Sequence, residues 1–429
     1  MRQESAKVFN KPWRYALAMF GLSIIGFMYV AYGTFFYNDK MGLSMAAIGV
    51  GNIFFAVWDA FNDPITGHLS DRTRTRWGRR RPWLMVSVPL LVIAFIFFFS
   101  PPHALGTGVA LAVYFTVFLM LTETSNTIAS VNYHSLLPEL FRETGKRNSA
   151  NSIRQALQLV GMIIGVSLVP MLAQAMGYQI TAVILGLLGG ALVIYSILGC
   201  KENKEFSEMQ QPKLWVSMKT IAGNRNFWFV SISHFLYSAT TGLLLTGIPF
   251  YIKYALELPD GKATILSASV FVTAIPSMFI WYKLINRHGT LKVWRIALIT
   301  LGLSLVPMFF SHSLLFSSIA GMFVGIGIAG VTANLDMVNS ELIEEDARCY
   351  GVRREATYFA GISFVTRLSG LVRSGVFLLL FTVFGFVSAD NPGEIPGMAA
   401  RFMMIVFPVI LMTLSVTASL FVKFKENNK

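Results

Sequence analysis

Twelve runs of mostly apolar residues divide this chain, each near the ~20 residues that an α-helix needs to cross the hydrocarbon core of a bilayer. They cover roughly residues 15–37, 43–69, 82–100, 108–133, 148–175, 179–199, 227–254, 263–284, 293–310, 314–338, 356–387 and 400–424. Backbone inside lipid has no water to bond, so long runs of this kind can only be helices. The expected fold class is an all-α integral membrane protein. Composition agrees: 54% of residues are hydrophobic and 13% charged, where a soluble domain carries about a quarter of charged residues. The formal charge of +13 would suit a nucleic acid only if the basic residues shared a face. They lie between the apolar runs instead, so the bilayer is the expected partner, with no nucleic acid.

The basic residues also orient the chain. Short cytoplasmic loops carry the excess of Lys and Arg. Of the 35 such residues, 28 fall in alternate segments beginning with the N-terminal one, and only Lys40, Lys253, Lys262 and Arg401 fall in the others. Both termini are therefore expected to be cytoplasmic. The polar N-terminal stretch does not read as a cleaved signal, and Cys200 and Cys349 give no disulfide framework. A polar stretch over 201–226 separates six spans from six, and both halves carry a charged turn between their second and third spans, at 67–81 and 286–295. The expected organisation is two pseudo-symmetric six-helix bundles, 1–200 with a cation site and 227–429, joined by a cytoplasmic linker.

The costliest residues lie in the second span. Asp59 and Asp63 are four apart and so share one helix face. Carboxylates at membrane depth are functional by default. The alternative is a structural hydrogen-bond network at a bend near Pro64. Six arginines follow, Arg72, Arg74, Arg76, Arg79, Arg80 and Arg81, and mark where the chain leaves the membrane.

Gly67, Asp71, Arg72, Gly78, Arg79 and Arg80 resemble the loop motif of the major facilitator superfamily. Within it, the chain resembles the glycoside, pentoside and hexuronide cation symporters over nearly its whole length. WDAFNDPITGHLSDRTRTRWGRRRPW, SLLPEL and GVRREATYFAGISFVTR carry that resemblance most specifically. The resemblance implies a cation site at Asp59, Asn62, Asp63 and Thr127, with Asp59 and Asp63 as the metal ligands where the ion is Na+. Carboxylate, amide and hydroxyl oxygens suit a hard cation, and the same carboxylates serve a proton.

At the implied substrate positions the chain departs from the family. Two acids that hold a neutral galactoside there are Ser23 and Ser130 here. The family's helix-five arginine is matched by Arg154 and its helix-eleven lysine by Arg367, while Arg373 is an added cation. A new acid, Glu123, lies seven residues before Ser130, on nearly the same face and at about the depth of Asp59. Losing acids while keeping arginines points to an acidic sugar, a uronide or sulfonated hexose, because Arg presents a fork to carboxylate or sulfonate. The other reading is that Glu123 neutralises an arginine and the sugar is neutral. Tyr133 and His134 are candidate substrate contacts or interfacial anchors. Asp71 with Arg72 or Arg79, and Arg353 and Arg354 in the acid-and-arginine stretch 340–355, are candidate gate residues.

The expected function is symport of a sugar or glycoside with Na+ or H+ by alternating access. The chain is expected to be a monomer in a bacterial inner membrane, with a small-molecule substrate and no cofactor beyond the coupling ion. The resemblance also extends to lysophospholipid transporters, which keep the second-span acids. A membrane prenyltransferase would need a second aspartate-rich motif within a later span, and none occurs, so no enzyme is expected.

Overall fold

Helix α1, Pro12–Phe35, starts on a proline at its first turn, where a missing N–H and a fixed φ are tolerated. The structure, a computed structural model, describes residues 11–141, 143–201, 221–350 and 355–424. Arg353, Arg354 and most of the expected linker lie outside that set, as do the side chains of Asp63 and Asp71. The first bundle continues with α2 Met45–Arg72, α3 Arg81–Phe98, α4 Val109–Leu140, α5 Thr144–Ile163 and α6 Val169–Leu198. The second holds α7 Arg225–Phe250, α8 Ala263–His288, α9 Thr290–Phe309 and α10 Leu314–Tyr350. It ends with α11 Glu355–Arg367, α12 Ser369–Phe384, α13 Pro396–Arg401 and α14 Phe407–Leu420. Polar side chains start two of these helices: the Ser44 hydroxyl accepts from Ala47 N at 3.2 Å, and Asn224 Oδ1 from Asn226 N at 2.9 Å. Each satisfies a donor that the first helical turn leaves unpaired.

Among the described residues eleven helical stretches are long and apolar enough to cross a membrane, one of them Ser149–Leu198. That stretch has 50 residues, about 75 Å at 1.5 Å per residue, more than twice the ~30 Å hydrocarbon core. It is broken at Gly177, whose φ of 83° and ψ of 159° are not helical. The stretch is therefore two spans, and the chain makes the twelve passes that its hydropathy implies.

The chain divides into two compact units, Met1–Gln210 with Val387–Asp390, and Gln211–Phe386 with Asn391–Lys429. The short segment 387–390 joins the first unit through Val387, whose carbonyl accepts from Met45 N at 2.9 Å and from Asn38 Nδ2 at 2.8 Å. In unit 1, α1 is the central element. A side chain on Gly21 would run into the Gly189 carbonyl of α6, and a Cβ on Gly161 of α5 would stand 2.8 Å from Phe20 O. Glycines on two sides thus let three helices approach backbone to backbone. In unit 2, α10 packs along both α8 and α9, and the fully buried Trp294 sits in that unit's core. Exposed apolar side chains form stripes, such as Val50, Phe54, Phe61, Ile65 and Leu69 on α2, the pattern of a helix face turned to lipid.

Candidate functional site in the first unit

Helices α2 and α4 run parallel in a fixed register. A Cβ on Gly51 would lie 2.7 Å from Thr116 Oγ1, and the Trp58 indole N–H donates to Thr124 Oγ1 at 2.9 Å. The offset is 65 residues at the first contact and 66 at the second. Both helices rise ~1.5 Å per residue, so the same offset sets Asp59 level with Thr124 and Asn62 level with Thr127.

Asp59, Asn62 and Thr127 are all buried, at 7%, 3% and 3% exposure. Asn62 Oδ1 accepts from the Thr66 hydroxyl at 3.3 Å, and its Nδ2 is buried without an acceptor. A carboxylate, an amide and a hydroxyl therefore lie within about one helical turn of the α2–α4 seam, and their oxygens are hard donors that fit Na+ or a proton. Asp63 lies one turn beyond Asp59 on α2, with its side chain outside the described residues.

The next feature is a polar strip on α4. Glu123, Asn126 and Ser130 are half-buried and His134 is exposed, at the 3–4-residue spacing of one helix face. The apolar side chains of Val113, Val117 and Leu121 are exposed on a different face. Glu123 is adjacent to Thr124, at the level of Asp59, as its position along the helix implies.

At the far end of the strip stands Arg154 of α5. Its Nη1 donates to His134 Nδ1 at 2.5 Å and its Nη2 to Asn151 Oδ1 at 2.8 Å. Its Nε is buried with no acceptor. Among the described residues every hydrogen-bond partner of this guanidinium is uncharged. Asn151 was not legible as a site residue, although its i, i+3 spacing to Arg154 places both on one face of α5.

Two expected substrate contacts are corrected by packing. Tyr133 is 1% exposed; its hydroxyl donates to Tyr15 O and the Tyr15 hydroxyl to Tyr133 O, both at 3.1 Å, with the rings stacked 4.5 Å apart. This reciprocal lock joins α1 to α4 and leaves the ring no open face. Ser23 is 4% exposed, and its Cβ would lie 2.8 Å from a Cβ added on Gly161, so it sits inside the α1–α5 seam.

The arginine loop is a separate device. The chain turns at Gly78, with φ of 107°, which an L side chain rarely adopts. The turn brings Arg79 and Arg80 back to α4, where Arg79 Nη2 meets Glu139 Oε1 at 2.5 Å and Arg80 Nε lies 3.7 Å from the same oxygen. Arg80 Nη1 also donates to Ser70 Oγ at 2.6 Å. An acid that holds these arginines is Glu139, in the SLLPEL stretch, a role sequence reasoning missed. Arg72, by contrast, is exposed, and the side chain of Asp71 lies outside the described residues.

In unit 2, Arg367 ends α11 and Arg373 lies in the first turns of α12, with a step between the helices at Leu368. The Arg373 guanidinium rests against α7, 3.5 Å from where a Cβ of Gly242 would stand. Ser238 and Ser369 hydroxyls bond at 3.0 Å in the same seam.

Comparison with known proteins agrees with this picture. The chain matches the MFS/sugar transport protein family over residues 14–427. It is 27% identical over 421 residues to the uncharacterized symporter YnaJ of Bacillus subtilis, covering 94% of this chain and 89% of that one. Over 256 residues it is 28% identical to the isoprimeverose transporter of Lactiplantibacillus pentosus, 54% of this chain and 52% of that one. It is also 22% identical over 392 residues to the sodium-dependent lysophosphatidylcholine symporter 1 of Gallus gallus, 79% of this chain and 72% of that one. The nucleoside transporter NupG has the same fold, with a TM-score of 0.72 at 12% identity over 95% of this chain and 98% of that one. The chain therefore belongs to the MFS/sugar transport protein family, among the glycoside, pentoside and hexuronide cation symporters.

Proposed function

We propose that this transporter couples the entry of Na+, bound in unit 1 by Asp59 and Asp63 with Asn62 and Thr127, to the uptake of an acidic sugar bound at Arg154. The observation that carries the substrate class is the set of neutral partners around that arginine. A guanidinium inside a span is expensive unless its charge is met, and His134 and Asn151 supply acceptors without charge. A carboxylate or sulfonate on the sugar supplies the missing anion. Half-buried Glu123, Asn126 and Ser130 offer hydrogen bonds to sugar hydroxyls along the strip above it. Sodium is preferred over a proton because a relative bears a sodium-dependent name.

Coupling requires that cation and sugar each raise the other's affinity by the same factor. The proposed cation site at the level of Asp59 and Thr124 lies at the level of Glu123, at the head of the strip, and this supports a direct route for that linkage. Both chain ends belong on the cytoplasmic side, since the loop arginines held by Glu139 act as the inner anchor and Arg79 as a gate residue. A bacterial inner membrane fits the inner membrane symporter YicJ of Escherichia coli among the relatives.

The test is uptake into proteoliposomes under an inward Na+ gradient. Asp59→Asn is expected to abolish accumulation while sparing exchange of substrate across the membrane. Accumulation that survives this substitution would refute the cation assignment. A second reading follows from the lysophosphatidylcholine relative: the same guanidinium takes a phosphate. Lysophosphatidylcholine in the same assay separates the two, since the acidic-sugar reading expects no uptake of it.

A further inference from the structure

We infer that His134, held with a proton on Nε2 and a lone pair on Nδ1, is a positioning residue that aims Arg154 at the anionic group of the substrate. The chemistry of the contact fixes the tautomer. A guanidinium has five N–H donors, no acceptor, and keeps its charge at any pH a protein tolerates. The 2.5 Å contact between Arg154 Nη1 and His134 Nδ1 is therefore a hydrogen bond only if Nδ1 carries no proton. With Nδ1–H, or with an imidazolium, two donors would face each other at that distance.

The imidazole and Asn151 together leave a defined edge of the guanidinium to work. One Nη1 hydrogen goes to His134 and one Nη2 hydrogen to Asn151 Oδ1. Among the described residues Nε–H keeps no acceptor although the atom is buried, and it lies on the Nη2 side of the fork. Two neutral clamps from two helices, α4 and α5, thus fix the plane of the group and present a side with an unused donor. A bidentate anion needs that fixed plane. His134 itself stays exposed at the end of the α4 strip, with the half-buried Arg154 beside it. The ring does not touch the substrate in this account; it sets where the arginine points.

This inference rests on the acidic-sugar reading only in its transport consequence, and its test has an arm that does not. The purified full-length protein is labelled with 15N-histidine, and the His134 signal among the six histidines is assigned by its loss in His134→Gln. The expected spectrum shows an Nε2–H tautomer at neutral pH, with an Nδ1 signal that moves downfield in Arg154→Leu as its donor is removed. An Nδ1–H tautomer, or a signal indifferent to Arg154→Leu, overturns the inference whatever the substrate proves to be. If His134→Gln does not yield folded protein, judged by its thermal midpoint, His134→Asn serves for assignment.

The transport arm compares 4-nitrophenyl β-D-glucuronide with 4-nitrophenyl β-D-glucoside. His134→Leu, which has no acceptor, is expected to raise KM for the glucuronide roughly tenfold and to leave the glucoside unchanged. His134→Gln, which keeps an amide oxygen, is expected to restore most of that loss. An equal effect of Leu and Gln, or an equal effect on both glycosides, would contradict a positioning role. A wild-type protein that shows the tautomer but does not discriminate between the glycosides would refute the acidic-sugar reading and leave the clamp standing.

Discussion

The last turns of α4 present two side chains to arginines from elsewhere in unit 1, and the two encounters differ in kind. Glu139 meets Arg79 and Arg80 with a carboxylate, in a buried pair that also includes Ser70. Five residues earlier His134 meets Arg154 with a neutral ring. In the first place the arginines meet a carboxylate of the protein, and the loop is fixed to the helix. In the second, among the described residues, the guanidinium's hydrogen-bond partners carry no charge. Counting arginines in a membrane chain therefore says little about substrate; the charge of what each arginine touches separates an anchor from a binding group.

Breaking the contrast from its binding side should have the largest effect. Arg154→Leu removes the proposed anion contact, and loss of one partner from a desolvated charge pair costs about 2–5 kcal/mol, a rise of roughly 30-fold or more in KM for the glucuronide. The glucoside should be affected far less, and parallel kinetics on the two sugars check this. From the anchoring side, Glu139→Gln removes the carboxylate that Arg79 and Arg80 share at a buried site. It should lower stability by about 1–3 kcal/mol, read as a lower thermal midpoint, with the glucuronide-to-glucoside ratio unchanged. A changed ratio would show that the two arginine sites are not separate. The smallest effect belongs to Tyr133→Phe, which deletes one of the two reciprocal bonds between α1 and α4. A loss of about 1 kcal/mol is expected, with no change in KM for either sugar, because the ring is enclosed.

How much of this could be read from the sequence follows from what each feature depends on. The twelve spans depend on local hydropathy, which lipid makes decisive, and only the break at Gly177 needed three dimensions to confirm that one long helical stretch is two spans. The α2 acids announce themselves because a carboxylate in an apolar run is costly, and the resemblance added Asn62 and Thr127, which the α2–α4 register sets side by side. A polar side chain within a span looks functional in one dimension, but the Tyr133 hydroxyl is bonded to Tyr15 of α1 and Ser23 is enclosed where α1 meets α5. Glu139 was missed for the converse reason: an acid near a span end reads as interfacial until the turn at Gly78 delivers its arginines. Asn151 gave no signal in the sequence, since a surface amide on an amphipathic helix is ordinary.

The central claim is that a cation gradient drives an acidic sugar through a site whose selectivity comes from Arg154. Its most direct test is the ratio of kcat/KM for 4-nitrophenyl β-D-glucuronide over the matching glucoside, measured in proteoliposomes under an inward Na+ gradient for the native protein and for Arg154→Leu. The account predicts a ratio well above one in the native protein, dependent on the gradient, that falls to near one or below in the variant. A native ratio at or below one, or a ratio that Arg154→Leu leaves unchanged, would contradict it.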